Sequence, residues 1–248
     1  RRNRIENKVI VMAGGLGKRM KSRLPKVIHK VNKIPMIVHV LKNCLKLNPQ
    51  KILVVTGKYK PIIKETIENY LDLSNIEFIN QPDAKGTGHA IQCCRNVLLN
   101  YQTSKVLILS GDVPLVSVET MKNTIEKLNS VKIVTVKINE PKGLGRIVID
   151  DKKFVKIVED KDCNEEEKKI KITNSGIYGF DSNILYKYLP FINNKNAQNE
   201  YYLTDIVEII KNHEKIDIDM YMMPENKNYE LTGVNTKEQL EYLNNFLL

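Results

Sequence analysis

The chain has 248 residues, with 39 lysines and arginines against 29 acidic residues, for a net charge of +10. That length suits one large α/β domain or two small ones, and no apolar run approaches the roughly 18 residues of a membrane span. The opening RRNRIENK has no apolar stretch behind it, which excludes a secretory signal, and Cys44, Cys93, Cys94 and Cys163 lack the CxxC spacing of a zinc site and fit reduced thiols in a cytoplasmic protein.

The first predicted element is a buried strand, KVIVMA (8–13). It runs into AGGLGKRMKSRLPK, where Gly14, Gly15 and Gly17 stand before a group of cations: Lys18, Arg19, Lys21, Arg23 and Lys26. Glycines let the backbone turn sharply and approach a ligand, and successive N–H groups cradle anionic oxygens. The P-loop pattern fails, because Gly17-Lys18 is followed by Arg19. The dinucleotide fingerprint fails too, because Met20 replaces its third glycine and the second strand ends without an acid. A phosphate-binding turn and a plain strand-to-helix turn with exposed cations both remain open at this point.

A helix is expected near 35–47, a strand at KILVVTG (51–57), a helix at 60–71 and a strand at IEFIN (76–80). QPDAKGTGHAI follows, with Gln81, Gly86 and Thr87 placed to hydrogen-bond a base edge or, more plainly, to cap a helix over 87–99. The strand KVLILSGD (105–112) ends in Ser110, Gly111 and Asp112. Strand-helix alternation implies a parallel sheet with helices on both faces, whose ligands bind beyond the carboxyl ends of the strands. Asp112 beside a phosphate site makes sense as a Mg²⁺ ligand; its plain alternative is a turn residue before Pro114.

The rhythm then changes. Strand-like stretches at 130–138, 145–150, 153–160 and 170–181 have short gaps and read as antiparallel additions. EEEKK (165–169) reads as a solvated helix face, and helices follow near 182–189 and 203–212. The last helix, TKEQLEYLNNFLL, lines Leu240, Leu243, Phe246 and Leu247 on one face, which needs a partner within the domain or beyond it. The lysines are scattered without interleaved aromatics, so the surplus charge reads as a solvated surface and no nucleic-acid partner is expected. His29, His39, His89 and His213 lack metal-ligand spacing, and Cys93 and Cys94 read as packing residues.

Seven ordered blocks now carry a family likeness: MAGGLGKRMKSRLPKVIH, QPDAKGTGHA, LILSGDVPL, GLGRIV, IVEDKDCNEEEKKIKITNSGIYGFD, NAQNEYYLTDIV and GVNTKEQL. Together they closely resemble the uridyltransferase domain of bacterial bifunctional N-acetylglucosamine-1-phosphate uridyltransferase, within the sugar-nucleotide pyrophosphorylase superfamily. The resemblance implies a Rossmann-like nucleotidyltransferase fold: a mixed, mostly parallel α/β sheet with helices on both faces and a small antiparallel addition. It implies transfer of UMP from UTP to N-acetylglucosamine 1-phosphate, with Mg²⁺ as cofactor and pyrophosphate as the second product.

By the same resemblance, Arg19 and Lys26 contact phosphates and act in catalysis. Met12, Ala13, Gly14, Gly15, Lys26, Gln81, Gly86, Thr87, Ser110, Gly111 and Asp112 hold the nucleotide, and Asp112 and Asn235 ligate Mg²⁺. Gly145, Glu159, Asn174, Tyr202 and Thr204 frame the sugar. The expected division is a disordered or tag-like leader over 1–7, the nucleotidyltransferase domain over 8–235 and a C-terminal helix over 236–248, with no acetyltransferase β-helix and no assumption of the family's trimer. The same fold acting on another sugar 1-phosphate or on dTTP, and an inactive basic regulator, are the rival readings.

The sequence also departs from the family pattern. Gly14 stands where alanine is usual, Lys18 where threonine is, Ser110 where tyrosine is frequent, and Asn199 where the family has glycine.

Overall fold

The computed structural model describes residues 6–15, 17–100 and 104–247; the side chain of Lys18 is outside that description. Residues 1–5 of the expected leader are also outside it, and Asn7 already opens the first strand.

The apolar runs become strands β1 (Asn7–Met12), then a hairpin of β2 (Lys30–Val31) and β3 (Ile34–Pro35). Helix α1 (Met36–Leu45), β4 (Lys51–Thr56), α2 (Lys60–Glu68) and β5 (Ile76–Asn80) follow. The helix expected over 87–99 divides at Cys93–Cys94 into α3 (Thr87–Gln92) and α4 (Arg95–Leu99). After β6 (Lys105–Ser110) come α5 (Val118–Ile125), β7 (Val131–Lys137), β8 (Arg146–Asp150), β9 (Lys153–Val158), the short α6 (Glu165–Lys168) and β10 (Ile172–Asp181). The chain closes with α7 (Ser182–Tyr188), α8 (Asp205–Glu214), β11 (Asp219–Met222) and α9 (Lys237–Phe246).

Nine strands form one sheet, with the path β11-β7-β10-β6-β1-β4-β5 and with β8 and β9 attached beside β10. β6, β1, β4 and β5 are parallel neighbours, and β10 enters antiparallel between β6 and β7. The expected mostly parallel sheet with an antiparallel addition is what forms.

The strands bury both faces, which is why they read as unbroken apolar runs rather than alternating ones. Ile10, Leu53 and Ile108 point to one core with α3, α4, α7 and α8. Their neighbours Val9, Val11, Ile52, Val54 and Leu107 point to the other, with α1, α2 and α5. Successive strand side chains alternate between faces, so a slip of one residue would exchange the two cores.

A third, smaller cluster joins Met20, Val31, Met36, Val234 and Leu243, with Leu240 packed against it. Leu240 and Leu243 of the α9 face thus find partners within this domain, while Phe246 and Leu247 remain exposed. Asn244 of α9 accepts from the Asn32 amide at 2.9 Å, inside the β2–β3 turn. The segment after the glycine loop is thereby clamped to the chain's last helix.

β10 carries an irregularity between Asn174 and Tyr178, with Gly176 at φ 81°. Asn199 lies at φ 53°, in the left-handed region. Asparagine tolerates that region better than other non-glycine residues, so it fits this position, where the resembled family pattern has glycine. Asn199→Val should cost about 1–2 kcal/mol, whereas Asn199→Gly should leave stability nearly unchanged. Thermal unfolding of the two variants checks this.

Candidate active site

The carboxyl edge of the parallel strands collects the loops named from sequence. Each loop prolongs the sheet ladder by one bond: Ala13 N–H to Val55 O at 2.9 Å, Gln81 N–H to Thr56 O at 2.8 Å, and Gly111 N–H to Met12 O at 2.9 Å. Those bonds fix where the three loops leave the sheet. Between them lies a cavity of about 310 Å³, lined by Met12, Ala13, Gly14, Gly15 and Lys26, by Gln81, Gly86 and Thr87, and by Ser110 and Asp112, with Val27, Ala84, Ala90 and Glu200 closing it. Of the predicted nucleotide residues, only Gly111 is absent from the wall; it is buried, and an added Cβ there would meet Val27 and the Met12 carbonyl.

The glycines differ in purpose. A Cβ on Gly15 would meet nothing within 4 Å, so that backbone is open to the cavity. Gly17, at φ +58°, would place a Cβ 2.7 Å from Lys26 Cβ. Its conformation and its missing side chain let Lys26 come in. Of the five cations around the loop, Lys26 lines the cavity, while Arg19, Lys21 and Arg23 are exposed. Arg19 stands in a single 3-10 turn (Lys18–Met20) beside the loop.

Lys26 Nζ lies 2.6 Å from Asp112 Oδ2 and 2.9 Å from Asn235 Oδ1. Backbone contacts make that meeting possible. Val234 N–H donates to Asp112 O at 3.0 Å, which brings the chain preceding α9 against the β6 loop. Gln239, in the capping box of α9, accepts from Asn235 N–H at 2.6 Å. Two oxygen donors, one anionic and one neutral, thus converge on a single cationic atom. Hard oxygen donors in that number suit a divalent cation such as Mg²⁺, which takes one or two protein oxygens and completes its shell with phosphate and water. Among the described residues no cluster of three or more His, Cys, Asp or Glu could hold a metal alone.

The residues expected to frame a sugar gather in a second cluster, outside the cavity lining. β10 runs antiparallel to β6, so its beginning rather than its end reaches this edge. Asn174 N–H donates to Gly145 O at 2.9 Å. A Cβ on Gly145 would stand 3.6 Å from both Asn174 Cβ and Glu159 Oε2. Thr204 Oγ1 donates to Glu159 Oε1 at 3.0 Å. Asn174 Nδ2 donates to Tyr178 Oη at 2.7 Å, while its buried Oδ1 has no partner among the described residues and keeps its acceptor capacity unused. Burial pushes the Tyr178 hydroxyl up, which keeps it a neutral partner for Asn174.

Tyr202 differs from its companions. Its hydroxyl donates to Asp162 Oδ2 at 3.0 Å and accepts from Gln198 Nε2 at 2.9 Å, and burial pushes its pKa up to about 12. It braces the segment that carries Thr204 rather than offering a free group.

That segment joins the two halves. Tyr201 O accepts from Gly88 N–H at 2.7 Å, and Thr87 Oγ1 accepts from Leu203 N–H at 3.0 Å. Thr87 therefore does not cap its own helix, the plainer of its two sequence readings; Gly86 holds the cap position. Glu159 is raised by burial, against the Thr204 hydrogen bond.

Asp205, the first residue of α8, is pushed up to about 6, chiefly by burial and then by Glu208, Glu159 and Asp162. The folded state thus holds this proton more tightly than the unfolded chain, whose ordinary value is 3.8. The resulting stabilisation is fully present below the unfolded value and is lost as pH rises through about 6. Asp205→Asn should therefore exceed the parent in stability by about 1 kcal/mol at pH 7.5, after allowance for partial exposure, and the gain should vanish near pH 4. Urea unfolding at the two pH values measures it.

Open α/β sheets bind ligands at this edge, and the architecture with its glycine turn, lysine and carboxylate puts the chain in that class. Within the class, the chain belongs to the nucleotidyl transferase family, which it matches over residues 8–226. It is 43% identical over 240 residues to a probable UDP-N-acetylglucosamine pyrophosphorylase of Acanthamoeba polyphaga mimivirus, covering 95% of this chain and 94% of that one. It is 42% identical over 241 residues to the bifunctional protein GlmU of Francisella tularensis subsp. novicida, covering 95% of this chain and 50% of that one. The chain thus spans about half the length of its bifunctional relatives and nearly all of the viral one. A crystal structure of a putative glucose-1-phosphate thymidylyltransferase from Bacillus anthracis has the same fold, with a TM-score of 0.73 at 19% identity over 97% of this chain and 94% of that one. Among the described residues no helix is long and apolar enough to cross a membrane.

Proposed function

We propose that the protein transfers UMP from UTP to N-acetylglucosamine 1-phosphate, giving UDP-N-acetylglucosamine and pyrophosphate. The observation that carries this reading is the match to the viral relative along almost the whole of both chains. Two features of the geometry support it: the cavity of about 310 Å³ is lined by the residues expected to hold the nucleotide, and residues 200–204 are bonded both to the Thr87–Gly88 segment at its wall and, through Thr204, to Glu159.

The chemistry asks little of acid-base groups. The second pKa of a phosphomonoester is roughly 6, so the sugar phosphate arrives at neutral pH as an anionic nucleophile. One of its oxygens forms a bond to the α-phosphorus of UTP, and the bond from that phosphorus to the β-phosphate oxygen breaks. What the protein supplies is alignment and compensation of negative charge. Gly15 opens backbone to the phosphates, while Lys26 and the exposed Arg19 bring positive charge to them. Asn174, Glu159, Thr204 and Gly145 hold the sugar. Asp112 and Asn235 would hold Mg²⁺, which when bound offsets charge on the phosphates. Lys26, released from the two oxygens, would then be free to pair with a phosphate oxygen.

The reading is tested by incubating the protein with Mg²⁺, each nucleoside triphosphate including dTTP, and each common sugar 1-phosphate, and measuring pyrophosphate. Release should be greatest with UTP and N-acetylglucosamine 1-phosphate. Absence of release with that pair, or clear preference for another, would overturn it.

A further inference from the structure

His89 has no part in the phosphate or sugar chemistry, yet it stands directly behind the base-facing wall of the cavity. Gln81 is buried, and its Nε2 lies 3.3 Å from Gly86 O and 3.1 Å from His89 Nδ1. A carbonyl oxygen only accepts, so the atom facing Gly86 O has to be the amide nitrogen. That nitrogen carries two hydrogens, and the second points at His89 Nδ1, which accepts it as a neutral imidazole. The proton of the ring then sits on Nε2, which lies 3.8 Å from Cys93 Sγ. Burial raises the Cys93 pKa, so the sulfur remains a neutral thiol able to accept it. The Tyr201 ring, 6.4 Å away centre to centre, packs obliquely against the imidazole.

Both donors of the Gln81 amide are thus used at the back of the wall. Its Oε1 remains, turned toward the glycine loop: a Cβ on Gly14 would stand 2.8 Å from it. Among the described residues nothing donates to that oxygen, and both Gln81 and Gly14 line the cavity. A lone acceptor at this wall selects a base edge that donates. Uracil offers N3–H, whereas the corresponding nitrogen of cytosine is itself an acceptor and would face Oε1 with a lone pair. A Gln81 amide free to rotate would present NH₂ instead and lose that distinction.

We infer that His89 is the positioning residue for pyrimidine choice: by accepting from Gln81 Nε2 it holds Oε1 toward the base and favours uridine over cytidine nucleotides. The inference rests on the proposed function in one respect only, that Gln81 faces the base. In the sequence His89 shows only its place in the segment expected to be helical and the lack of metal-ligand spacing.

The test is calorimetric binding of UTP and CTP to the intact protein, with turnover measured separately. The parent should prefer UTP. His89→Leu and His89→Phe, two acceptor-free variants of different shape, should each lower the UTP-to-CTP affinity ratio by about tenfold, the worth of one hydrogen bond. KM for the sugar phosphate should not change. His89→Asn, whose amide oxygen falls near the place of Nδ1, should restore the ratio. Melting curves identify which variants remain folded. An unchanged ratio in a folded acceptor-free variant, an equal loss for both nucleotides, or a parent that does not discriminate would overturn the inference. Failure of the parent to release pyrophosphate while the ratio still responds to His89 would count against the proposed reaction alone.

Discussion

Asp112→Ala should lower kcat by about a thousandfold or more and leave the fold intact. The side chain meets Lys26 at 2.6 Å, but the contact that holds the loop in place is the bond from Val234 N–H to the Asp112 backbone carbonyl. Alanine keeps that carbonyl. The lost ion pair is partly exposed, with 22% of the Asp112 side chain accessible, so its removal should cost no more than about 1 kcal/mol of stability. Turnover is a different matter, because one of the two oxygens proposed to hold Mg²⁺ disappears. Charge stabilisation by a metal is worth several kcal/mol, and each 1.4 kcal/mol is about tenfold in rate. Steady-state pyrophosphate release with a melting curve on the same preparation measures both. A kcat within tenfold of the parent would remove Asp112 from the metal site.

Gly86→Ala should damage both halves of the site at once. Gly86 lies at φ +115°, and a Cβ there would stand 2.5 Å from Tyr201 O and 3.0 Å from Tyr201 N. Neither atom can yield alone. Tyr201 N–H donates to Lys85 O at 2.8 Å, and Tyr201 O accepts from Gly88 N–H. The methyl therefore pushes residues 200–204 off the loop that carries Gly86, and Thr204 moves away from Glu159 with them. A cost of about 3 kcal/mol follows from the strained φ together with the lost bonds, or a fall in Tm of about 6–12 °C for a domain of this size. KM should rise for nucleotide and sugar phosphate alike. An effect on one substrate only would mean that the segment does not couple them.

The sheet was readable because its strands are buried on both faces. VIVM, ILVV and VLIL could be nothing but core, and the loops after them fall at the ligand-binding edge by topology. The weaker elements left no such mark. β2 and β3 are two residues each, joined by Asn32 and Lys33 at positive φ, and the turn lacks the Asn-Gly signal of such hairpins. β11 is a four-residue edge strand with three partly buried side chains and an exposed Met222. α5 did leave a mark, with Ser117 as its cap and Val118, Met121 and Ile125 at helical spacing, in a stretch of otherwise mixed polarity.

The site divides in the same way. Gly14, Gln81 and Asp112 each follow a strand and announce themselves. Asn235 is 209 positions from Lys26, and only family resemblance pointed to it; the fold joins them through Val234 and the cap of α9. Gly145, Glu159 and Thr204 were likewise pointed to by resemblance alone, since they meet Asn174 only through long-range contacts: β8 pairs with β10, and β9 with β8. His89 and Tyr178 were missed because what matters about them is an angle and a tautomer, which no spacing encodes.

The central claim, transfer of the α-phosphoryl group with its uridine to the sugar phosphate, is tested most directly by label. With UTP carrying one radiolabel at the α-phosphate and, in a parallel reaction, at the γ-phosphate, plus N-acetylglucosamine 1-phosphate and Mg²⁺, the α-label should appear in UDP-N-acetylglucosamine and the γ-label in pyrophosphate, in equal amounts. Label of either kind appearing as inorganic phosphate, or α-label that never enters the sugar nucleotide while UTP is consumed, would contradict it.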